Sequence, residues 1–158
     1  MNATRLFFHR TFEPAEPLAT SHILPDPAAC ADPIRDTPFA AELVRLAREI
    51  VAHRFPIFGQ TIETGPDIDW RRDYRHDKTS GTQFFRRVPY LDFEKVGDHK
   101  WIWELNRHQH LVVLAQAFLL TGDGDFIAEI EREIESWMAA NPFLRGINSC
   151  ATAERRCH

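Results

Sequence analysis

The polar and aromatic residues that begin one predicted helix are the first candidates for chemistry in this chain. At about 100° per residue, a continuous helix would place Trp103, Arg107 and His110 on one face. Glu104 and His108 would lie on a neighbouring face. An aromatic ring, a guanidinium fork and imidazoles suit an acidic sugar, which offers a ring for stacking and a carboxylate or sulfate for bidentate pairing. The alternative is structural, with Trp103 in the core and Glu104–Arg107 as an intrahelical ion pair.

The helix that carries these residues is predicted to be the first half of an antiparallel hairpin. Gly122 stands where a left-handed C-cap is expected, and Asp123 or Asp125 can accept hydrogen bonds from the next helix. Asn141-Pro142 ends that second helix. The apolar stripe of the first helix comprises Leu105, Val112, Leu114, Ala115, Phe118 and Leu119.

The second helix is predicted to be amphipathic, with apolar residues at steps of three and four. Its apolar side consists of Ile127, Ile130, Ile134, Trp137 and Met138, and its solvent side mostly of Glu129, Glu131, Arg132, Glu133 and Glu135.

Two further segments precede the hairpin. Residues 1–37 contain five prolines and are predicted to be an irregular lead-in to a helical domain over residues 38–158. Thr37-Pro38 begins a helix whose apolar stripe starts at Phe39, and we expect it to end near His53-Arg54. Residues 55–99 are predicted to form a long irregular rim loop, either a substrate-lining rim or a solvated loop whose charges pair with each other.

Composition excludes several classes of function. The 158-residue chain has a net charge of −4 and no long basic run, so nucleic acid is not an expected partner. No apolar run is long enough to cross a bilayer, and the polar N-terminus lacks a secretory signal, which makes a cytoplasmic location possible. Cys30, Cys150 and Cys157 have no zinc-ligand spacing and are interpreted as three unrelated thiols, so no metal is expected.

Five blocks, taken together, resemble bacterial heparinase II/III-like polysaccharide lyases. Residues 53–59 (HRFPIFG) resemble an entry motif of that family, and residues 65–70 (GPDIDW), with 78–81 (KTSG), resemble a second one. Residues 103–111 (WELNRHQHL) resemble the family's central helix, and residues 120–123 (LTGD) resemble its turn. Trp137 with residues 141–142 (NP) and 146–148 (GIN) resembles the closing block, and the whole resemblance covers roughly residues 40–148.

The resemblance implies an all-α fold for this chain, a partial (incomplete) α/α toroid made of helical hairpins with the rim loop attached. It also implies β-elimination on an acidic, uronate-containing polysaccharide, with a periplasmic or secreted location and no cofactor. That reaction needs a group that neutralises the uronate carboxylate, a base that removes the C5 proton and an acid that protonates the leaving oxygen. None of these catalytic residues can be assigned here.

The chain departs from the family pattern in its altered tail and in that it stops before the family's later helices and second domain. Ser149 follows residues 146–148 where the family usually has tryptophan, and His158 stands where an arginine would fall, although Glu154 keeps a glutamate's offset. We expect the chain to be a truncated N-terminal portion of such a lyase and inactive alone. Unpartnered helices should then expose apolar residues on the Ile127–Trp137 or the Phe39–Ile50 helix.

Substrate binding is accordingly predicted, without catalysis or metal binding. Two alternatives remain open: a non-catalytic anionic-glycan-binding module that uses Trp70, Tyr74 and neighbouring arginines, and a helical scaffold that binds protein. The sequence does not predict an oligomeric state. The predicted substrate-binding residues are Trp103, Asn106, Arg107, His110 and Asn148.

Overall fold

A computed structural model describes residues 26–150 of the chain. Most of the described residues that belong to regular structure are helical. The helices are α1 (Pro27–Ala31), α2 (Pro38–Val51), α3 (Phe93–Val96), α4 (His99–Leu105), α5 (Gln109–Thr121) and α6 (Asp125–Ala140), with short 3₁₀ turns at Asp32–Ile34 and Phe85–Arg87. The strands are β1 (Arg54–Ile57), β2 (Gln60–Glu63), β3 (Arg72–Asp73) and β4 (Lys78–Thr79).

The helix boundaries predicted from caps are confirmed. The Thr37 hydroxyl accepts a hydrogen bond from the Ala40 amide at the start of α2. Gly122 has φ 72° and donates its amide to the Phe118 carbonyl, as a left-handed C-cap does. Asp123 Oδ1 accepts from the Asp125 amide at 3.0 Å, so it satisfies one free donor at the start of α6.

Helix α5 lies at the centre of the described fold. Both α2 and α6 pack against it, and α1 packs against it near its C-terminal half. The core combines these helices with the hairpin β1–β2 and with Trp70 from the segment that follows. Fully or nearly fully buried side chains in this core include Ala47, Ile50, Phe55, Trp70, Leu114, Ala117 and Phe126.

The described fold is mostly helical, with a few short strands, and this is compatible with the predicted helical class. Residues 55–99 are not uniformly irregular, because they contain two antiparallel hairpins, β1–β2 and β3–β4. In the first hairpin Phe55 pairs with Ile62, and Phe58 and Gly59 both have positive φ in the turn. Such turns match the right-handed twist of a short hairpin, and the buried Ile57 fixes it to the core.

The prediction of one continuous helix through Trp103, Arg107 and His110 is wrong, because the chain breaks between α4 and α5. His108 has φ 56° and ψ 26°, a left-handed conformation that no α-helix contains. The Asn106 side chain donates to the Ile102 carbonyl, which caps the end of α4. Trp103 and His110 therefore lie on different helices, and the shared face predicted for them does not exist.

The burial pattern predicted for α6 is also wrong in part. Glu129 and Glu133 were expected in solvent but are buried, whereas Ile134 and Met138 are 41% and 51% exposed. Glu133 is buried because it pairs with His110, and Glu129 pairs with Arg132. The sequence did predict exposed apolar residues on α6 or on α2. On α2, Phe39 is 63% exposed.

The division at residue 37 stays a prediction, and most of the lead-in lies outside the described residues. Its last part folds as α1 and a 3₁₀ turn, and the Arg35 guanidinium donates to the Leu120 carbonyl at the end of α5. Within residues 26–150, no helix combines the length and apolar character that crossing a membrane requires.

Candidate functional site

The Trp70 carbonyl accepts hydrogen bonds from two of the predicted site residues, Asn106 and Asn148. Asn106 Nδ2 donates to it at 2.8 Å, and Asn148 Nδ2 donates to it at 3.0 Å. The Asn106 Oδ1 atom accepts from Trp137 Nε1 at 2.7 Å. Residues from separate blocks of the sequence thus share one hydrogen-bonded cluster, whose immediate effect is to fix the fold.

Asn148 and Trp103 extend this cluster toward the end of the described chain. Asn148 Nδ2 also donates to Asn141 Oδ1 at 2.7 Å, while its own Oδ1 is buried without a hydrogen-bond partner among the described residues. Trp103 Nε1 donates to the Ile147 carbonyl at 3.1 Å. The indole is partly buried against Val96 and its neighbours, as the structural alternative for Trp103 proposed.

His110 is bound inside the protein. Its Nε2 lies 2.5 Å from Glu133 Oε2, and its exposed fraction is only 9%. Burial is the largest effect on Glu133 and raises the pKa of its carboxyl, and the hydrogen bond from His110 opposes that rise. Because the pair joins α5 to α6, it explains why a carboxylate lies in the core.

Arg107 is the predicted site residue that most clearly reaches solvent. Its side chain is 60% exposed, and it pairs with Glu104 at 2.7 Å. An exposed pair of this kind contributes little to stability, so the guanidinium can exchange its partner for another anion at small cost. Substrate binding by all five predicted residues stays a prediction, and for His110 burial argues against it.

His108 lies between aromatic rings just after the α4–α5 break. Its ring is 5.4 Å from the Trp70 ring and 5.2 Å from the Trp137 ring, measured between centroids. Burial, and then the neighbouring His110, lower the pKa of His108 to about 4. The imidazole is therefore neutral near pH 7, and its Nδ1 is buried without a partner among the described residues.

A cleft with a volume of about 780 Å³ lies between residues 66–71 and α6. Its charged lining comprises two guanidiniums and three carboxylates, so an anion is not favoured there by charge. Arg132 is already committed to Glu129, with hydrogen bonds of 2.8 and 2.5 Å. None of the five predicted substrate-binding residues lines this cleft. Its charged residues are Asp67, Asp69, Arg71, Glu129 and Arg132.

Trp70 is not a sugar-stacking residue of an exposed rim, which corrects the glycan-module alternative. The side chain is fully buried, and its Nε1 donates to Ser136 Oγ at 3.0 Å. Tyr74 is partly buried, and its hydroxyl accepts from the Asp69 amide at 2.7 Å. That alternative therefore loses its principal aromatic residue.

Asp73 organises the long connecting segment and was missed in the sequence. Its carboxylate is fully buried and accepts from the amides of Arg75, His76 and Asp98, and it lies 2.7 Å from His76 Nδ1. A Cβ added at Gly97 would lie 2.6 Å from Asp73 Oδ2. A short-range signal existed, because an aspartate that caps amides two and three residues ahead is typical of a turn.

A metal site is not present in the part of the chain that the structure describes. No three His, Cys, Asp or Glu side chains of residues 26–150 are arranged to hold an ion. His–carboxylate pairs do form. Asp73 pairs with His76 within one turn, and His110 on α5 pairs with Glu133 on α6.

Comparison with known proteins places these observations in one family. No curated protein and no solved structure gives a significant match to the chain. The sequence does match the family described as Heparinase II/III N-terminus over residues 31–157, which is most of its length. That span includes every residue of the cluster around the Trp70 carbonyl. The chain belongs to the Heparinase II/III N-terminus family.

Proposed function

We propose that the chain is the N-terminal portion of a polysaccharide lyase that acts on an acidic, uronate-containing polysaccharide by β-elimination. The family match over residues 31–157 is the observation that carries this proposal. The chemical role is to hold the polymer, while the base and acid of the reaction come from elsewhere in the complete enzyme. A periplasmic or secreted location fits such a substrate.

The helical packing supports a partial α/α toroid. Helices α5 and α6 form a hairpin around Gly122, and α2 packs against the same central helix. Ile134 and Met138, one turn apart on α6, are both substantially exposed. In a toroid, each hairpin covers the apolar side of its neighbour, so an uncovered pair of this kind fits an array that continues.

The surroundings of three histidines support a binding role without catalysis. A general base for C5 proton removal must reach the substrate within hydrogen-bond distance. His110 is buried against Glu133, and His76 is bound to the buried Asp73 carboxylate. His108 has a pKa of about 4, which makes it a weak base near neutral pH.

The test is to incubate the purified chain with heparin and, separately, with alginate, and to measure both binding and product. Lyase action produces an unsaturated uronate that absorbs in the ultraviolet. We expect binding to at least one of these acidic polymers and no increase in absorbance. Product formation by the chain alone would contradict the binding-only role, and failure to bind any uronate polymer would contradict the proposed substrate class.

A further inference from the structure

We propose that Arg86, Arg87 and Arg145 form the surface, here called the arginine face, that holds the acidic polysaccharide. This inference rests on the proposed function and assigns its binding to residues outside the predicted set. The three side chains are exposed and come from two segments distant in the sequence. The guanidinium groups of these arginines would bind the carboxylates or sulfates of the polysaccharide in a bidentate manner.

Backbone hydrogen bonds bring the two segments together. The Phe85 amide donates to the Leu144 carbonyl at 3.0 Å, and the Gly146 amide donates to the Gln83 carbonyl at 2.9 Å. Phe84 and Arg145 form an isolated antiparallel bridge between these bonds. Arg86 and Arg87 lie two and three residues after Phe84 in a 3₁₀ turn, so the backbones of the three arginines lie close together.

The three guanidiniums of the arginine face carry positive charge that has no carboxylate partner among the described residues. No carboxylate of the described residues lies within ion-pair distance of these groups. By contrast, Arg45 and Arg48 on α2 pair with Glu42 and Asp123. A polyanion approaching Arg45 or Arg48 must displace a carboxylate, whereas one approaching the arginine face need not.

The charge distribution of the chain favours the segment that contains two of the three arginines, Arg86 and Arg87. Residues 71–107 contain nine Lys or Arg and six Asp or Glu, although the whole chain is acidic. The other described residues, 26–70 and 108–150, contain six Lys or Arg and fourteen Asp or Glu. Because long-range attraction follows the local balance of charge, an acidic polymer is steered toward the segment that carries Arg86 and Arg87. The bridge to Phe84 brings Arg145 to that segment from the otherwise acidic remainder.

The large cleft is the competing location, and its charges argue against it. The three carboxylates there outnumber the two guanidiniums. Arg132 donates to Glu129 and to the Pro66 carbonyl, and Arg71 Nε lies 3.9 Å from Asp69 Oδ1. A sulfate or uronate entering the cleft would meet a net negative lining, so the arginine face is the better site for a polyanion.

Apolar contact is available beside the arginines. Phe143 is 89% exposed and lies two residues before Arg145 in the sequence. Phe84 is 43% exposed and is the bridge partner of Arg145. A sugar ring presents C–H groups on its faces, which pack on aromatic rings while its charged groups point to the side. This combination favours a glycan over a simple inorganic anion.

The test compares binding of the full chain and its variants to heparin by titration at two salt concentrations. We expect Arg86→Gln/Arg87→Gln/Arg145→Gln to weaken binding about tenfold or more and to reduce its salt dependence. The matched control Arg35→Gln/Arg45→Gln/Arg48→Gln removes the same charge from exposed, paired arginines and should change affinity by less than about twofold. Lysine at positions 86, 87 and 145 should restore part of the affinity because it keeps the charge.

Four outcomes would overturn the inference. Equal weakening by both triple variants would show that only net charge matters, and unchanged binding by the first would place the polymer elsewhere. In both cases wild-type binding stands, and so does the proposed function. Tighter binding to single-stranded DNA than to heparin at matched salt would assign the face to nucleic acid. A wild-type chain that binds neither heparin nor alginate would contradict the proposed function as well. Circular dichroism checks that each variant is folded.

Discussion

The side-chain amides of Asn106 and Asn148 donate to the same acceptor, the carbonyl oxygen of Trp70. Asn106 lies at the end of α4, and Asn148 follows the last helix of the described chain. A single carbonyl therefore joins three parts of the sequence that lie far apart along the chain. The motifs that contain these residues therefore have a structural role, and any contact with substrate would be an additional one.

Replacing Asn106 should destabilise the protein. Asn106→Ala removes the acceptor of the Trp137 indole N–H and leaves that partly buried donor unpaired. The expected loss is about 1–3 kcal/mol in the free energy of unfolding, measured by urea denaturation. Gln109→Ala, at an exposed position nearby, is the control and should change stability by less than about 0.5 kcal/mol. A loss as small as that of the control would show that the cluster contributes little.

The glycine that faces Asp73 should not tolerate a side chain. Gly97 has φ 77°, and an added Cβ would meet the fully buried Asp73 carboxylate at 2.6 Å. We expect Gly97→Ala to cost about 2–3 kcal/mol, because backbone strain and the clash act together. Gly124→Ala, with nothing within 4 Å and a negative φ, is the matched control and should stay within about 0.5 kcal/mol of wild type by thermal unfolding. Equal effects of the two substitutions would argue against the packing described.

His108 should lower the free energy of unfolding as the pH falls below about 6.5. Its pKa is about 4 in the folded chain, below the ordinary value of 6.5, because the imidazole is partly buried. The unfolded chain therefore takes up this proton first as pH falls from 6.5 to 4, so unfolding is favoured progressively in that window. After allowance for partial exposure, the expected loss is about 1–2 kcal/mol.

The variant His108→Asn isolates this effect. Asparagine tolerates the left-handed conformation at position 108 and carries no titratable group. Comparing wild type and variant by chemical denaturation across this pH range should show a smaller acid-side loss in the variant. NMR titration of the His108 ring gives the pKa directly, and a value near 6.5 would contradict the burial argument.

Glu133 should make the free energy of unfolding decrease as pH rises, which is the opposite of the effect expected from His108. Burial raises the pKa of its carboxyl, so the folded chain holds this proton more tightly than the unfolded chain does. The stability contributed by the protonated form is present below the unfolded value of 4.5 and is lost as pH rises through the higher folded value. Glu133→Gln should remove that decline and can still accept from His110. A decline of the same size in Glu133→Gln, followed by denaturation at several pH values, would show that another group causes it.

Local signals in the sequence predicted the helix ends correctly, but long-range pairing changed what lay between them. Thr37 and Gly122 act within one turn of their own position, so their roles could be inferred from neighbours. Next to the break at His108, Asn106 bonds to the Trp70 carbonyl, a contact that periodicity does not reveal.

Charge pairing across elements explains the other differences. Glu133 was assigned to solvent because a carboxylate on a polar stripe is usually exposed, but His110 on α5 meets it in the core. The arginine face was missed for a similar reason. Arg145 and Arg87 become neighbours only when the bridge at Phe84 forms.

The affinity of the chain for heparin, relative to uncharged dextran, tests the central claim most directly. Titration calorimetry with both polymers at the same salt concentration gives the comparison. The account predicts measurable binding to heparin that weakens as salt rises, and no binding to dextran. Equal binding to both polymers, or binding to neither heparin nor alginate, would contradict the claim that the chain holds an acidic polysaccharide.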